Sequence, residues 1–492
     1  MILHPWPLLS LLTFLPIIGA VLLALFPANA RGAMRGFAAA VAGVTFALSL
    51  FLAVSFKSST FHYQFGESLP WIPQFGISYL VGVDGISLWL VVLTAFLGLA
   101  GVLIATPKPV EDGGGDARAT YALMLALTTT MLGTFVALDL VLFYTFFELS
   151  LIPVALLILQ RGGLERRAAA IRYFASLFAG SILMLVGMVV LSKLHFDATG
   201  RASFSLLDLQ AQAASGNLWR AAVGLQPWVF WSFALAFLVK SPALPFHSWL
   251  PGTYEEAPLA PLVGSVVLKV GTYGLFRFCL PLFPEAVQNQ LPLLTIIGTA
   301  GILYGAAIAI TQRGIGRLLA FSTVSHVGFI LIGLFSLTHS GLMGAAFQQT
   351  NHGLTAGALL VMIALLQRRR ATMEIDAFGA LKRTMPIFAA TFFVILLGNI
   401  GLPGTSGFVG EFLTMLGAFE AGLARSYGLS LPAAVLAGGG TVLAAGYLLY
   451  MFQRMFTGPV TERADLKDLV PSETLLAGAF AIGYPQKRGR RR

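Results

Sequence analysis

Four charged side chains lie in the middle of long apolar stretches of the sequence. They are Glu148, Lys240, Lys269 and Glu411. A charged side chain within the hydrocarbon layer of a bilayer costs about 3 kcal/mol or more, so each of the four is a candidate functional residue. Buried carboxyl and amino groups whose charged forms depend on their neighbours can take up and release protons. The four residues therefore indicate a path for protons.

His326 and His352 lie in two further apolar stretches and add two groups that titrate near neutral pH. A single buried Glu–Lys pair could simply hold two helices together. Six such groups in six stretches exceed what a scaffold needs, because each further buried charge costs free energy without improving the packing. Glu148 is the expected partner of Lys240, because moving the carboxylate would stabilise or destabilise the ammonium.

The composition predicts what surrounds these residues. The chain has 492 residues, of which 57% are hydrophobic and 11% charged, whereas globular proteins are about 25% charged. Its mean hydropathy is +0.83. A soluble protein of this length must cover its surface with charge, so the composition predicts an all-α polytopic membrane protein in contact with the lipid bilayer.

Charge and cysteine content exclude several functions. The net charge is +10, but the basic residues are spread over loops and the last six residues, which argues against nucleic-acid binding. Cys279 is the single cysteine, so an internal disulfide, a cysteine-ligated zinc site and a cysteine-ligated iron–sulfur cluster are excluded. We expect no cofactor and no metal in this chain.

Apolar runs of about 20 residues, enough to cross a hydrocarbon layer of about 30 Å, recur along the whole chain. The connection 57–84 suggests at most a small hairpin. The runs predict thirteen spans: 7–27, 35–56, 85–105, 120–138, 140–160, 168–192, 226–250, 259–283, 290–311, 317–336, 341–366, 386–419 and 430–453.

Two of these spans contain helix-breaking residues beside a charge. Pro242 and Pro245 follow Lys240 in span 7, and residues 401–407 precede Glu411 in span 12. Kinks without function are the alternative, but two discontinuous helices five spans apart are typical of an inverted-repeat transporter. The predicted organisation is an N-terminal three-helix segment, two inverted five-helix repeats and a C-terminal segment with a basic tail: 1–119, 120–283, 290–453 and 454–492.

Basic residues are divided unequally between alternate loops. The loops after odd-numbered spans hold seventeen Lys and Arg, and the other loops hold five, Lys57, Lys193, Arg201, Arg220 and Arg425. The positive-inside rule places the first set in the cytoplasm, so the N-terminus is expected outside. The apolar run 475–482 is too short to cross a bilayer, so the basic tail after it is expected on the cytoplasmic side.

The charged and broken segments resemble those of a known family, the antiporter-like membrane subunits of proton-pumping NADH:quinone oxidoreductase, or respiratory complex I. The resemblance extends from Val81 to Phe452. The M-type branch of that family is similar in having Glu rather than Lys at the position of Glu411. The motifs that carry the resemblance surround the charges and breaks: 147–153, 240–242, 247–251, Lys269 with Tyr273 and Gly274, 322–328, 351–353 and 404–411.

The resemblance implies a role for each buried group. Glu148 and Lys240 would form the coupling pair, Lys269 the central relay and Glu411 the exit toward the outside, with the two histidines bridging the half-channels. It also implies about fourteen helices, a bacterial inner (plasma) membrane location, and L-like and N-like paralogous subunits and a peripheral redox arm as partners. NADH, FMN, iron–sulfur clusters and quinone would belong to partner subunits.

Two features depart from the family pattern. Residues 252–256, Gly-Thr-Tyr-Glu-Glu, replace the usual Asp-Ala-His turn, and a full fourteenth helix is missing. Two alternative functions remain. A subunit of a cation/proton antiporter or of a membrane-bound hydrogenase would share the fold, and a passive structural subunit would retain the motifs only because it descends from a transporter. Glu411 and the complete set of buried charges favour proton translocation within the oxidoreductase.

Overall fold

The computed structural model describes residues 1–2, 6–105, 116–220, 222–256, 263–370, 372–424, 428–459 and 467–482. They fall into two units, Met1–Leu293 and Leu294–Arg492. The boundary lies just after the first predicted repeat, 120–283. The inverted symmetry of the two repeats stays a prediction.

The first unit is almost entirely helical. It also holds a two-stranded antiparallel hairpin, β1 (Gln64–Ile72) and β2 (Ile77–Val83), which confirms the predicted hairpin. Its helices are α1 (Leu8–Leu22), α2 (Arg31–Ser55), α3 (Gly85–Ile104), α4 (Ala117–Val136), α5 (Leu140–Leu149), α6 (Leu151–Arg161), α7 (Arg166–Thr199), α8 (Leu206–Ala214), α9 (Gln226–Lys240), α10 (Leu250–Glu256), α11 (Leu268–Gly274) and α12 (Leu280–Leu282).

The second unit is built from helices alone in its described residues. The helix α13 (Pro284–Thr311) contains the boundary between the units. The helices that follow are α14 (Ile315–Phe335), α15 (His339–Arg369), α16 (Leu381–Thr384), α17 (Pro386–Ile400), α18 (Ser406–Leu423), α19 (Ser430–Phe452) and α20 (Pro471–Ile482).

Twelve helical segments of the described residues are long and apolar enough to span a membrane. They coincide with twelve of the thirteen predicted spans. The remaining span, 386–419, consists of α17 and α18, of which α17 is a shorter apolar helix. The all-α, multi-pass fold class predicted from composition is therefore confirmed.

The two predicted helix breaks are present. The helix α9 ends at Lys240, and the chain is non-helical until α10 begins at Leu250. The amide of Ala243 donates to the carbonyl of Leu238, which leaves the carbonyl of Val239 to accept from the indole of Trp249 at 2.9 Å. The break thus satisfies its own freed backbone group at membrane depth, as a chain without water there must.

The second break separates α17 from α18. Gly401 ends α17 in the left-handed region, with φ of 75°, a conformation that glycine adopts without a steric penalty. Its Cα faces the Glu411 side chain, because a Cβ added there would lie 2.7 Å from Oε2. The break therefore brings backbone close to a buried carboxylate.

The C-terminal apolar run forms part of α20, which packs against α15 and α17 within the second unit. Ala477 and Phe480 are buried there, and Glu473 pairs with Arg369. With 12 residues, α20 is shorter than a membrane span. The basic tail, residues 487–492, lies outside the described residues.

Two π-helical turns, Val263–Val267 and Leu275–Cys279, flank α11. A Cβ added to Gly271 would lie 2.3 Å from the carbonyl oxygen of Phe237 and 2.6 Å from the amide nitrogen of Ser241. Glycine therefore lets α11 lie directly on the end of α9. This contact fixes the separation of the two helices that carry Lys269 and Lys240.

Replacing Gly271 by Ala should force α11 away from α9, because the atoms it would meet are backbone. We expect Gly271→Ala to destabilise the protein by about 1–3 kcal/mol, the usual cost of overpacking a close-packed site. The midpoint of thermal unfolding in detergent measures this. Gly43→Ala is the matched control, because a Cβ at that helical position meets no atom within 4 Å. Equal midpoints for the two variants would contradict the assigned packing.

Candidate functional site

Lys240 is fully buried at the end of α9 and is held by the junction of α5 and α6. Its ammonium donates to the carbonyl of Phe147 and to the hydroxyl of Ser150, each at 2.9 Å. It also lies 3.8 Å from the centre of the Phe147 ring, over its face. A carbonyl, a hydroxyl and an aromatic face together stabilise a buried cation.

Glu148 lies between these two contacts in the chain and is half-buried. Both Glu148 and Lys240 are in the described part of the chain, and Lys240 makes the contacts above instead of an ion pair with the carboxylate. Oε1 of Glu148 is buried without a hydrogen bond. The two charges are close enough to interact through space, so the predicted pair is adjacent but not bonded.

Lys269 is fully buried on α11 in the same unit. Its helix rests on the break that follows Lys240, through the close approach of Gly271 to Ser241. Flanking π-helical turns are frequent at functional sites, because they shift the register of side chains along a helix. The two predicted lysines therefore lie on a tightly packed pair of helices.

In the second unit, His326 and Glu411 are in direct contact. Nδ1 of His326 lies 3.1 Å from Oε1 of Glu411, and both side chains are buried. The ring of His352 lies beside the ring of His326, with 4.8 Å between their centroids. Three of the predicted site residues, from α14, α15 and α18, thus form one cluster.

Small polar side chains surround this cluster. Thr441 of α19 donates to Oε2 of Glu411 at 3.3 Å, and Ser406 at the start of α18 donates to Asn351 at 2.6 Å. Tyr447 of α19 donates to Ser322 of α14 at 2.8 Å. The cluster is therefore embedded in hydroxyl and amide groups that can reorient as protons move.

Sequence reasoning did not single out several of these partners. Ser150 joins two apolar helices, and Thr441 and Ser406 lie in apolar helices. None of the three carries a charge, so the cost of burying them gives no signal. Ser150 follows Glu148 by two residues, and that proximity in the chain was the one available hint. Arg277, buried near the end of its span, also escaped notice.

The geometry suits proton binding. Within the described residues, no group of three or more His, Cys, Asp or Glu side chains is placed to hold a metal ion. Each unit contains buried groups able to take up and release a proton, beside hydroxyls that can donate or accept.

Comparisons with known proteins agree with the fold and the motifs. Residues 137–437 match the family described as NADH:quinone oxidoreductase/Mrp antiporter, transmembrane. The chain is similar to NADH-quinone oxidoreductase subunit M of Rhodobacter capsulatus, with 38% identity over 96% of this chain and 91% of the relative. Its similarity to subunit M of Mycobacterium tuberculosis is 36% over 96% of this chain and 88% of the relative.

Solved structures give the same result. A chain of respiratory complex I from Thermus thermophilus with bound NADH has a TM-score of 0.84 and 30% identity, covering 97% of this chain and 94% of that chain. A chain of the Mrp complex from Dietzia sp. DQ12-45-1b shares the fold, with a TM-score of 0.80 at 21% identity, covering 97% of this chain and 93% of that chain. On its sequence, its span pattern and these similarities, the chain belongs to the family of NADH-quinone oxidoreductase M subunits.

Proposed function

We propose that this chain is a proton-translocating membrane subunit of an NADH–quinone oxidoreductase, and that its buried Glu, Lys and His side chains carry the protons. The observation that carries the proposal is the contact between His326 and Glu411, with His352 beside them. Two imidazoles and a carboxylate that only filled space would cost free energy at membrane depth. As a relay they use the two ring nitrogens of each histidine, one to receive a proton and one to donate it.

Lys240 is the charge that switches in the first unit. Its protonated form is stabilised by Phe147 and Ser150, and the nearby carboxylate of Glu148 adds a through-space attraction. A shift of Glu148 away from Lys240 would weaken that attraction and favour release of the proton. Lys269, on the helix packed against the break, is the next acceptor in this scheme.

The energy for these steps would come from partner subunits. The family resemblance assigns NADH, FMN, iron–sulfur clusters and quinone to a peripheral redox arm and to neighbouring membrane subunits. The similarity to an NADH-quinone oxidoreductase subunit and to a chain of respiratory complex I with bound NADH supports the assignment of NADH and quinone. The single cysteine, Cys279, is buried and supports no cysteine-ligated redox centre here. Charge movement in a neighbouring subunit would reach this chain electrostatically.

The direction of transport follows from the orientation. We assign the N-terminus to the outside of a bacterial inner membrane and the loops rich in Lys and Arg to the cytoplasm. Glu411, the last group of the relay, would then deliver protons toward the outside. A passive structural subunit and a cation/proton antiporter are the rival functions, and replacing Glu148 separates proton translocation from the passive rival.

Replacing Glu148 by Gln should reduce NADH-driven proton translocation by about tenfold, the factor that a loss of ~1.4 kcal/mol in charge interaction produces. Assembly should be unaffected, because Glu148 makes no hydrogen bond to the Lys240 ammonium or to its partners Phe147 and Ser150. Proton uptake into inside-out membrane vesicles measures the effect. Glu165→Gln, at an exposed acid that makes no capping bond, is the control. Equal translocation in Glu148→Gln and Glu165→Gln would favour the passive rival.

The orientation predicts which loops a membrane-impermeant maleimide can reach. In a Cys279→Ala background, a cysteine replacing exposed Asn217, between α8 and α9, should be labelled in right-side-out vesicles. A cysteine replacing Leu164, also exposed and between α6 and α7, should be labelled only after permeabilisation. A cysteine added after Arg492 should behave like the one at 164. The reverse pattern at 217 and 164 would overturn the orientation.

A further inference from the structure

An ion pair between a buried arginine and a partly buried aspartate lies in the first unit, near the end of the span that carries Lys269. Arg277 is 6% exposed, and its guanidinium binds both oxygens of Asp84, at 2.6 and 2.7 Å. It also donates to the hydroxyl of Tyr63 at 2.8 Å and, through Nε, to the hydroxyl of Tyr273 at 3.1 Å. Four of the five N–H donors of the guanidinium are therefore engaged.

Asp84 is itself held rigidly. It caps α3, accepting from the amides of Ile86 and Ser87 while the hydroxyl of Ser87 accepts from the amide of Asp84. Burial alone would raise the pKa of Asp84, but the guanidinium of Arg277 holds this pKa below its usual value. The carboxylate therefore stays ionised. Two parallel hydrogen bonds from the planar guanidinium to this fixed carboxylate hold the pair in one geometry.

The ion pair ends a row of polar groups that starts at Lys269. Lys269, Tyr273 and Arg277 follow one another at intervals of four residues along one helical segment, so their side chains lie on one face. The hydroxyl of Tyr273 donates to the carbonyl of Phe135 at 3.1 Å and accepts from Arg277. This row runs toward the end of the first unit that bears the hairpin.

The row cannot carry a proton as it stands. The hydroxyl hydrogen of Tyr273 is committed to a carbonyl, and an arginine in a protein does not release its proton. Asp84 balances the charge of Arg277, but it binds the two terminal nitrogens, so the pair presents the Nε side of the guanidinium to Tyr273. A fixed positive charge on that side repels an approaching hydronium ion, as cationic residues do in membrane pores. The last group of the row is therefore a barrier to the path that begins at Lys269.

Stability alone does not explain the pair. A buried ion pair recovers its desolvation cost poorly, and apolar residues of similar volume are often as stable or more stable. The hairpin has another attachment, because the carboxylate of Glu67 accepts from the amide of Leu9 at 2.7 Å. A role that depends on the positive charge itself fits the geometry better than a role in packing.

We propose that Arg277, held in place by Asp84, is a fixed positive charge that closes the outer end of the first unit to protons, so that a proton on Lys269 is not released there. The proposal rests on the proposed proton translocation. It adds a reason why a proton that reaches Lys269 is not lost at the end of the first unit that bears the hairpin. Arg277 is the barrier, and Asp84 is its hydrogen-bonded counterion.

The test measures passive proton entry, with no NADH or quinone present, into proteoliposomes that contain the assembled oxidoreductase. A potassium diffusion potential set with valinomycin drives the protons, and an enclosed pH-sensitive dye reports them. Removing the charge with Arg277→Met, or with the double variant Asp84→Asn/Arg277→Gln, should speed proton entry by about tenfold, because the repelling charge is gone. Arg220→Met, at an exposed arginine of the same unit, should leave entry unchanged.

Two further variants separate a charge barrier from a packing role. Asp84→Asn and Arg277→Lys both disturb the paired hydrogen bonds between the two side chains but keep the positive charge. Vesicles with either variant should therefore admit protons as slowly as vesicles with the parent. Equal leaks in Asp84→Asn and Arg277→Met would overturn the proposal, as would tight vesicles for both charge-removing variants. Failure of both charge-removing variants to assemble, beside normal assembly of Asp84→Asn, would also count against it, because Arg277 would then be a folding element.

The same vesicles keep this proposal separate from the proposed function. A leak in Arg277→Met is measured without NADH, and it should persist in the double variant Glu148→Gln/Arg277→Met. If Glu148→Gln pumps like the parent, the proposed function fails whatever the leak. If vesicles with Arg277→Met admit protons no faster than the parent while Glu148→Gln does not pump, only the proposed barrier at Arg277 is contradicted.

Discussion

The cost of a charge in an apolar surrounding is the constraint on which the rest of this structure depends. Lys240 meets that cost with a backbone carbonyl, a hydroxyl and an aromatic face. These partners exist because α5 and α6 join at Ser150 and because α9 stops at Lys240. The broken helices are thus not defects in the bundle but the means of solvating a buried cation.

The second unit meets the same constraint differently. The carboxylate of Glu411 lies 3.1 Å from Nδ1 of His326 and accepts a hydrogen bond from Thr441, and the break before α18 brings Gly401 against it. In both units a helix break lies within a few residues of a buried charge, and a glycine or proline makes it possible. A buried ionisable side chain needs polar partners to be stable. To change its protonation state as well, it must keep some hydrogen-bonding positions unfilled, as Oε1 of Glu411 does.

The sequence was enough to predict the class of fold, the spans, both helix breaks and the small hairpin. Each of these follows from strong local signals, such as apolar length or Pro242 and Pro245. It was not enough for side-chain geometry. The contact between His326 and Glu411 joins helices far apart in the chain, and helices that are apolar on all sides give no periodicity from which their facing sides could be predicted. The pairing of Arg277 with Asp84 was missed for the same reason.

The central claim is that the buried acids of this chain change protonation during turnover, and infrared difference spectroscopy tests it most directly. Spectra of the assembled oxidoreductase would be recorded with and without NADH, for the parent and for Glu411→Gln. Our account predicts a carboxyl band in the parent difference spectrum that is absent from the Glu411→Gln spectrum. An identical difference spectrum in the two proteins would contradict it, because Glu411 would then keep one protonation state throughout turnover.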